Sequence, residues 1–128
     1  MQNGYDRAVS RVVPYLTALT MTLIIETPIY WYLLTRFAGV RTRQAITAAV
    51  VINLVSHPLF TFVFVPLTTA LVAPVTAILI GESGVCALEA GLLYAWLRRD
   101  AAVVVASVLI ANGCSFGIGL ILLSLRPW

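Results

Sequence analysis

The sequence predicts an all-α integral membrane protein, with four transmembrane helices in an up-down antiparallel bundle. Three observations carry that expectation. The 128 residues are 61% hydrophobic and only 10% charged, where a water-soluble domain usually carries about a quarter charged residues. The mean hydropathy is +0.99. The apolar residues fall into four runs, each long enough for the roughly 20 residues that cross a hydrocarbon core, with short connections that make neighbours antiparallel. At this length the chain, residues 1–128, is a single domain.

The first span is expected over about 14–35. Residues 1–13 read as a short polar segment at the interface, with Asp6, Arg7 and Arg11, and Pro14 suits a first helical turn. Tyr30, Trp31 and Tyr32 near the span's end have the character of an interfacial aromatic belt. A basic loop holding Arg36, Arg41 and Arg43 follows, then a second span over 44–65. Pro66 to Ala73 reads as an uncharged turn. The third span covers 74–97, Arg98-Arg99-Asp100 a tight loop, and the fourth span 101–125, closed by Arg126-Pro127-Trp128.

All eight basic residues are arginine, and all lie between or outside the apolar runs. The two loops after the first and third spans carry five of them, so the positive-inside rule puts those loops in the cytoplasm and both termini outside it. Arginine without lysine, amid abundant Ala and Val, points to a bacterial inner membrane. The flanking arginines suit lipid headgroups. No basic patch interleaved with aromatics supports a nucleic-acid partner. Cys86 and Cys114 form no CxxC pair or zinc spacing and read as reduced packing residues. No cleavable signal pattern is present at the start of the sequence, so the first helix is expected to stay. No cofactor or metal is expected.

Three acids depart from the flanking pattern. Glu26, Glu82 and Glu89 sit inside apolar runs, and Glu82 and Glu89, two turns apart, share one helix face. Counting about 1.5 Å per residue from the arginine-rich side places Glu26, Asn53 and Glu89 at roughly 15 Å depth and Asn112 near 18 Å. That is one polar residue per helix near the midplane of a ~30 Å core. His57 and Glu82 fall in a second layer, at about 21 and 24 Å. An intramembrane Glu almost always faces the bundle interior or a wet cavity. These six residues form the candidate network, either as interhelical glue at about 0.6–2 kcal/mol per bond or as a proton or cation site. Pro28 and Pro58 free the carbonyls of Ile24 and Leu54, which are candidates to line such a site. Each half of the chain also pairs a Glu-bearing span with an Asn-bearing span, suggestive of a repeat.

Small residues make packing ridges: Ser107, Ala111, Ser115 and Gly119 on the fourth span, and Ala87, Gly91 and Ala95 with Gly84 on the third. The two ridges are expected to face each other, or to form an external seam.

The first functional expectation is a non-catalytic subunit or assembly partner of a larger membrane complex, because the loops are too short for an extramembrane site. The alternative is a proton- or cation-coupled small-molecule transporter working as a homo-oligomer. Size, four spans and a carboxylate in the first helix resemble the small multidrug resistance exporters, which act as proton-coupled dimers; the likeness lies in topology, and Glu26 would take the place of their essential Glu. An intramembrane enzyme or metal site is a minor reading. The glutamate-dependent intramembrane proteases carry a Glu-Glu pair and separate histidine motifs, whereas this chain has no such pair and one histidine. No catalytic residue is assigned.

Overall fold

The computed structural model describes residues 4–125, almost all of them helical. Helix α1 spans Gly4–Ala38, α2 Thr42–Leu59, α3 Val65–Thr69, α4 Pro74–Leu97 and α5 Ala101–Ser124, with a π-helical turn, Phe60–Phe64, joining α2 to α3. Four stretches are long and apolar enough to cross a membrane: Val12–Ala38, Thr42–Thr69, Pro74–Leu97 and Ala101–Leu122.

Two boundaries differ from expectation. Helix α1 begins at Gly4, ahead of Pro14, which lies inside it. A proline removes one backbone donor and crowds the preceding turn, but the helix runs through both Pro14 and Pro28. The second stretch does not end near Val65. Pro58 and Pro66 bracket the π turn, where Val65 N–H reaches the Phe60 carbonyl five residues back, and helix resumes to Thr69. The region expected as a turn is thus half helical. Arg126, Pro127 and Trp128 lie outside the described residues.

The links are closed by local chemistry. Gly39 takes a left-handed conformation (φ +62°) after α1, and Val40 N–H bonds the Leu34 carbonyl at 3.1 Å. Arg98 ends α4 at φ +50°. Asp100 caps α5, its Oδ1 accepting from the backbone N–H groups of Ala102 (2.8 Å) and Val103 (3.2 Å), which satisfies donors that a helix start leaves free. Along the exposed faces, hydroxyls satisfy themselves on their own helices: Thr17 donates to Val13 O, Thr20 to Leu16 O and Ser83 to Leu79 O.

The four long stretches pack in a ring, α1 against α2 and α5, and α4 against α2 and α5. The hydrophobic core is gathered at one end. Its members are Tyr30, Leu34, Val40, Ala45, Ala48, Ala49, Ile52, Leu93, Leu97, Val104, Val108 and Ala111, all on the portions adjoining the two arginine-bearing links. Small residues on α2 and α5 let the helices approach there. Large apolar side chains lie exposed on the outside of the ring at both ends, among them Tyr32, Phe37 and Leu109 near the arginine links and Leu16, Ile24, Leu79 and Leu120 away from them. What distinguishes the arginine end is the buried apolar cluster that fills it.

Candidate functional site

Where the buried core stops, Glu89 stands at the centre of the ring. It is 1% exposed and accepts three hydrogen bonds, each from a different helix: from the Tyr30 hydroxyl at 2.6 Å, the Ser56 hydroxyl at 2.5 Å and Asn112 Nδ2 at 2.7 Å. Asn112 Nδ2 also reaches the Val108 carbonyl at 3.1 Å. This network ties α1, α2, α4 and α5 together through one carboxyl. It divides the dry core from a cavity of about 250 Å³.

That cavity gathers the whole candidate network. Glu26, Asn53, His57, Glu82, Glu89 and Asn112 all line it, with Thr22, Ser56 and Ser115 as further polar groups and Phe60, Val85, Phe116, Gly119 and Leu120 as apolar wall. Glu89, Ser56 and Asn112 form its floor. Thr22, Glu82 and Leu120 lie about one to two helical turns further from the arginine links, so the cavity extends towards that end. Among the described residues no arginine lines it. Among the described residues no three of its acids and histidines are grouped as metal ligands would be.

Glu26 is the counterpart of Glu89 but is differently satisfied. It is 2% exposed, yet its Oε2 is buried without a hydrogen-bond partner. Asn53 and Ser115 lie beside its carboxyl, and Asn53 Nδ2 donates back to the Ala49 carbonyl at 3.1 Å. His57 is half-buried, its Nδ1 also unpartnered, with its ring 5.4 Å from that of Tyr15. The two expected layers therefore share one cavity. Within it only Glu89 and Asn112, of the six, are joined by a direct hydrogen bond among the described residues.

Of the further polar partners, Tyr30 lies four residues from Glu26 and Ser56 three from Asn53, on the faces that helical spacing gives to the polar residues of the first two spans, whereas Ser115 was placed on a packing ridge. A signal for the serines exists. Asn53-Leu54-Val55-Ser56 and Asn112-Gly113-Cys114-Ser115 repeat an Asn-x-x-Ser pattern, one in each half. An Asn and a Ser three apart project from one helix face. In the fold the two sets cross over. Glu89 takes Asn112 from its own half and Ser56 from the other, while Glu26 lies beside Asn53 of its own half and Ser115 of the other. One of the two related carboxyls has both oxygens hydrogen-bonded and the other retains a free acceptor.

The prolines and small residues sort differently from expectation. Ile24 and Leu54, the residues whose carbonyls Pro28 and Pro58 free, are exposed and line no part of the cavity. Ser107 and Ala111 are buried, Ser115 half-buried and Gly119 exposed. On α4 the ridge is not packed on α5: Ala87, Gly91 and Ala95 are all exposed, and a Cβ at Gly91 would meet nothing within 4 Å. The glycines of α4 that do admit a neighbour are Gly81 and Gly84. A Cβ at Gly81 would sit 2.9 Å from Phe60 Cε2, and one at Gly84 would be 3.7 Å from Phe64 Cε2. Both aromatics belong to the π turn, so the wider turn is what lays its rings on the bare face of α4. Cys86 is half-buried, Cys114 is exposed, and both are free thiols.

No protein-family model, curated protein or solved structure matches the chain.

Proposed function

We propose that the four long stretches cross a bilayer as an up-down bundle and that the acidic cavity is the substrate site of a proton- or cation-coupled transporter. The observation that carries this reading is the convergence of Glu26, Glu82 and Glu89 on one cavity that, among the described residues, no arginine lines. Glue alone needs the Glu89 set, in which both carboxyl oxygens are hydrogen-bonded. It does not need Glu26, whose buried Oε2 has no hydrogen-bond partner among the described residues, a costly arrangement unless something visits that atom. A proton or a cation is the visitor such an acceptor suits. With the arginine-bearing links in the cytoplasm, as the positive-inside rule favours, both termini would lie outside and the Glu82 end of the cavity would face outward.

Proteoliposomes test the reading. With a sodium or tetramethylammonium gradient imposed, interior pH should change in step with the cation, and Glu26→Gln and Glu89→Gln should each abolish that coupling. Absence of proton movement with every cation, or coupling that survives both substitutions, would overturn the reading.

A second reading, a non-catalytic subunit or homo-oligomer, is favoured by the exposed Ala87, Gly91 and Ala95 stripe, a surface on which another helix packs closely. Extraction in mild detergent tests it: the chain should co-migrate with a larger assembly, and Gly91→Leu should release it.

A further inference from the structure

The cavity has a neighbour. A groove of about 550 Å³ runs between α4 and α5 on the outside of the ring, and it shares Glu82, Asn112 and Phe116 with the acidic cavity. Apart from these residues and Ser83, its lining is apolar or small, including Leu79, Ala87, Leu109 and Gly113. The groove and cavity are thus two compartments of opposite character separated by one shared wall. The larger is apolar and open on the face that would meet lipid tails. The smaller is acidic and holds the unpartnered Glu26 Oε2. Among the described residues the one ionisable acid or base of the groove, apart from the thiol of Cys86, is Glu82, and it stands on the boundary. Its volume is within the range of small-molecule pockets.

Resting on the transport reading of the cavity, the geometry points to a ligand class: an alkyl amine, with its ammonium head among Glu26 and Glu82 and its aliphatic tail in the α4–α5 groove. Charge selects a cation, since the shared wall and the cavity carry carboxyls and, among the described residues, no arginine. The unmet groups select among cations. Glu26 Oε2 needs a hydrogen-bond donor, which a primary ammonium has and a quaternary ammonium lacks. The groove selects the tail, because a short cation leaves it empty while a long chain enters it sideways from the bilayer. Entry from the bilayer passes Glu82 first.

Equilibrium binding of dodecylamine to the protein in phosphatidylcholine nanodiscs, read as the excess over empty nanodiscs, tests the assignment. Saturable binding is expected, weakened roughly tenfold by Glu26→Gln through the loss of one charge-assisted bond. Dodecyltrimethylammonium should bind about tenfold more weakly than dodecylamine for the same reason. Gly113→Leu fills the groove from a position where an added Cβ meets nothing within 4 Å. It should weaken dodecylamine and leave butylamine unchanged. As a readout that needs no variant of the groove, dodecylamine should protect Cys86, which lines it, from an alkyl maleimide in a Cys114→Ser background, and butylamine should not. If butylamine binds in a Glu26-dependent manner while chain length, Gly113→Leu and Cys86 protection show no effect, the groove assignment falls and the cavity reading stands. If the quaternary head binds as well as the primary amine, the donor argument falls. If no amine binds at any chain length, the assignment falls together with the reading of the cavity as a cation site.

Discussion

Replacing Glu89 should loosen the entire bundle, because its carboxyl is the single point at which α1, α2, α4 and α5 are joined by polar bonds. Glu89→Ala removes the acceptor for Tyr30, Ser56 and Asn112 together, whose bonds measure 2.6, 2.5 and 2.7 Å. At about 0.6–2 kcal/mol for each interhelical bond in a membrane protein, the three amount to roughly 2–6 kcal/mol. Asn112 keeps its bond to the Val108 carbonyl, so the lower half of that range is expected. Glu89→Gln retains one carbonyl oxygen but turns the other position into a donor facing a donor, and one bond of the three should be lost. Unfolding by sodium dodecyl sulfate in bicelles, followed by tryptophan fluorescence, measures these losses. Tyr30→Phe alone should cost about 1 kcal/mol. A double-mutant cycle between Tyr30→Phe and Glu89→Ala should return a coupling of about 0.6–2 kcal/mol. Additive effects, or a Glu89→Ala protein as stable as the parent, would refute the idea that this carboxyl holds the helices.

Glu26→Leu should be neutral or stabilising in the same assay, since it removes a buried oxygen that has no partner, while abolishing cation-dependent proton movement; a loss as large as that of Glu89→Ala would show that Glu26 is structural. Gly81→Ala should destabilise by about 1–3 kcal/mol, because its Cβ would meet the Phe60 ring at 2.9 Å. Gly113→Ala, in open space, should be neutral or stabilising by about 0.5–1 kcal/mol, and equal effects at the two glycines would contradict the packing of the π turn on α4. Asp100→Ala should cost about 0.5–2 kcal/mol through loss of the α5 cap, with Asp100→Ser recovering most of it.

How well the sequence could be read varied with the range of the interaction. Helix existence depends on local composition, and α4 at 74–97 and α5 from 101 coincide with the apolar runs. Helix starts and joints were less legible. Nothing short-range tells a polar segment at 4–13 to continue the α1 helix through Pro14, and the π turn between Pro58 and Pro66 depends on where Phe60 and Phe64 find room. That room is the bare face of Gly81 and Gly84, on another helix.

The cavity shows the same division. By itself the sequence determined that three carboxyls, two asparagines and one histidine lie inside apolar runs, because an acid in such a run has few places to be except the interior. A rise of about 1.5 Å per residue then brought them to similar depths. What depth does not contain is rotation about each helix axis, and partner choice depends on rotation. Only the tertiary structure decided that Glu89 is the hub and Glu26 the one with a free acceptor, that the Tyr30 hydroxyl goes to Glu89 rather than to Glu26 on its own helix face, and that the small ridge of α4 faces outward while its upstream glycines receive the rings of the π turn. The physical reason is that hydrogen bonds reach about 3 Å, far shorter than the uncertainty of any depth counted along a tilted helix.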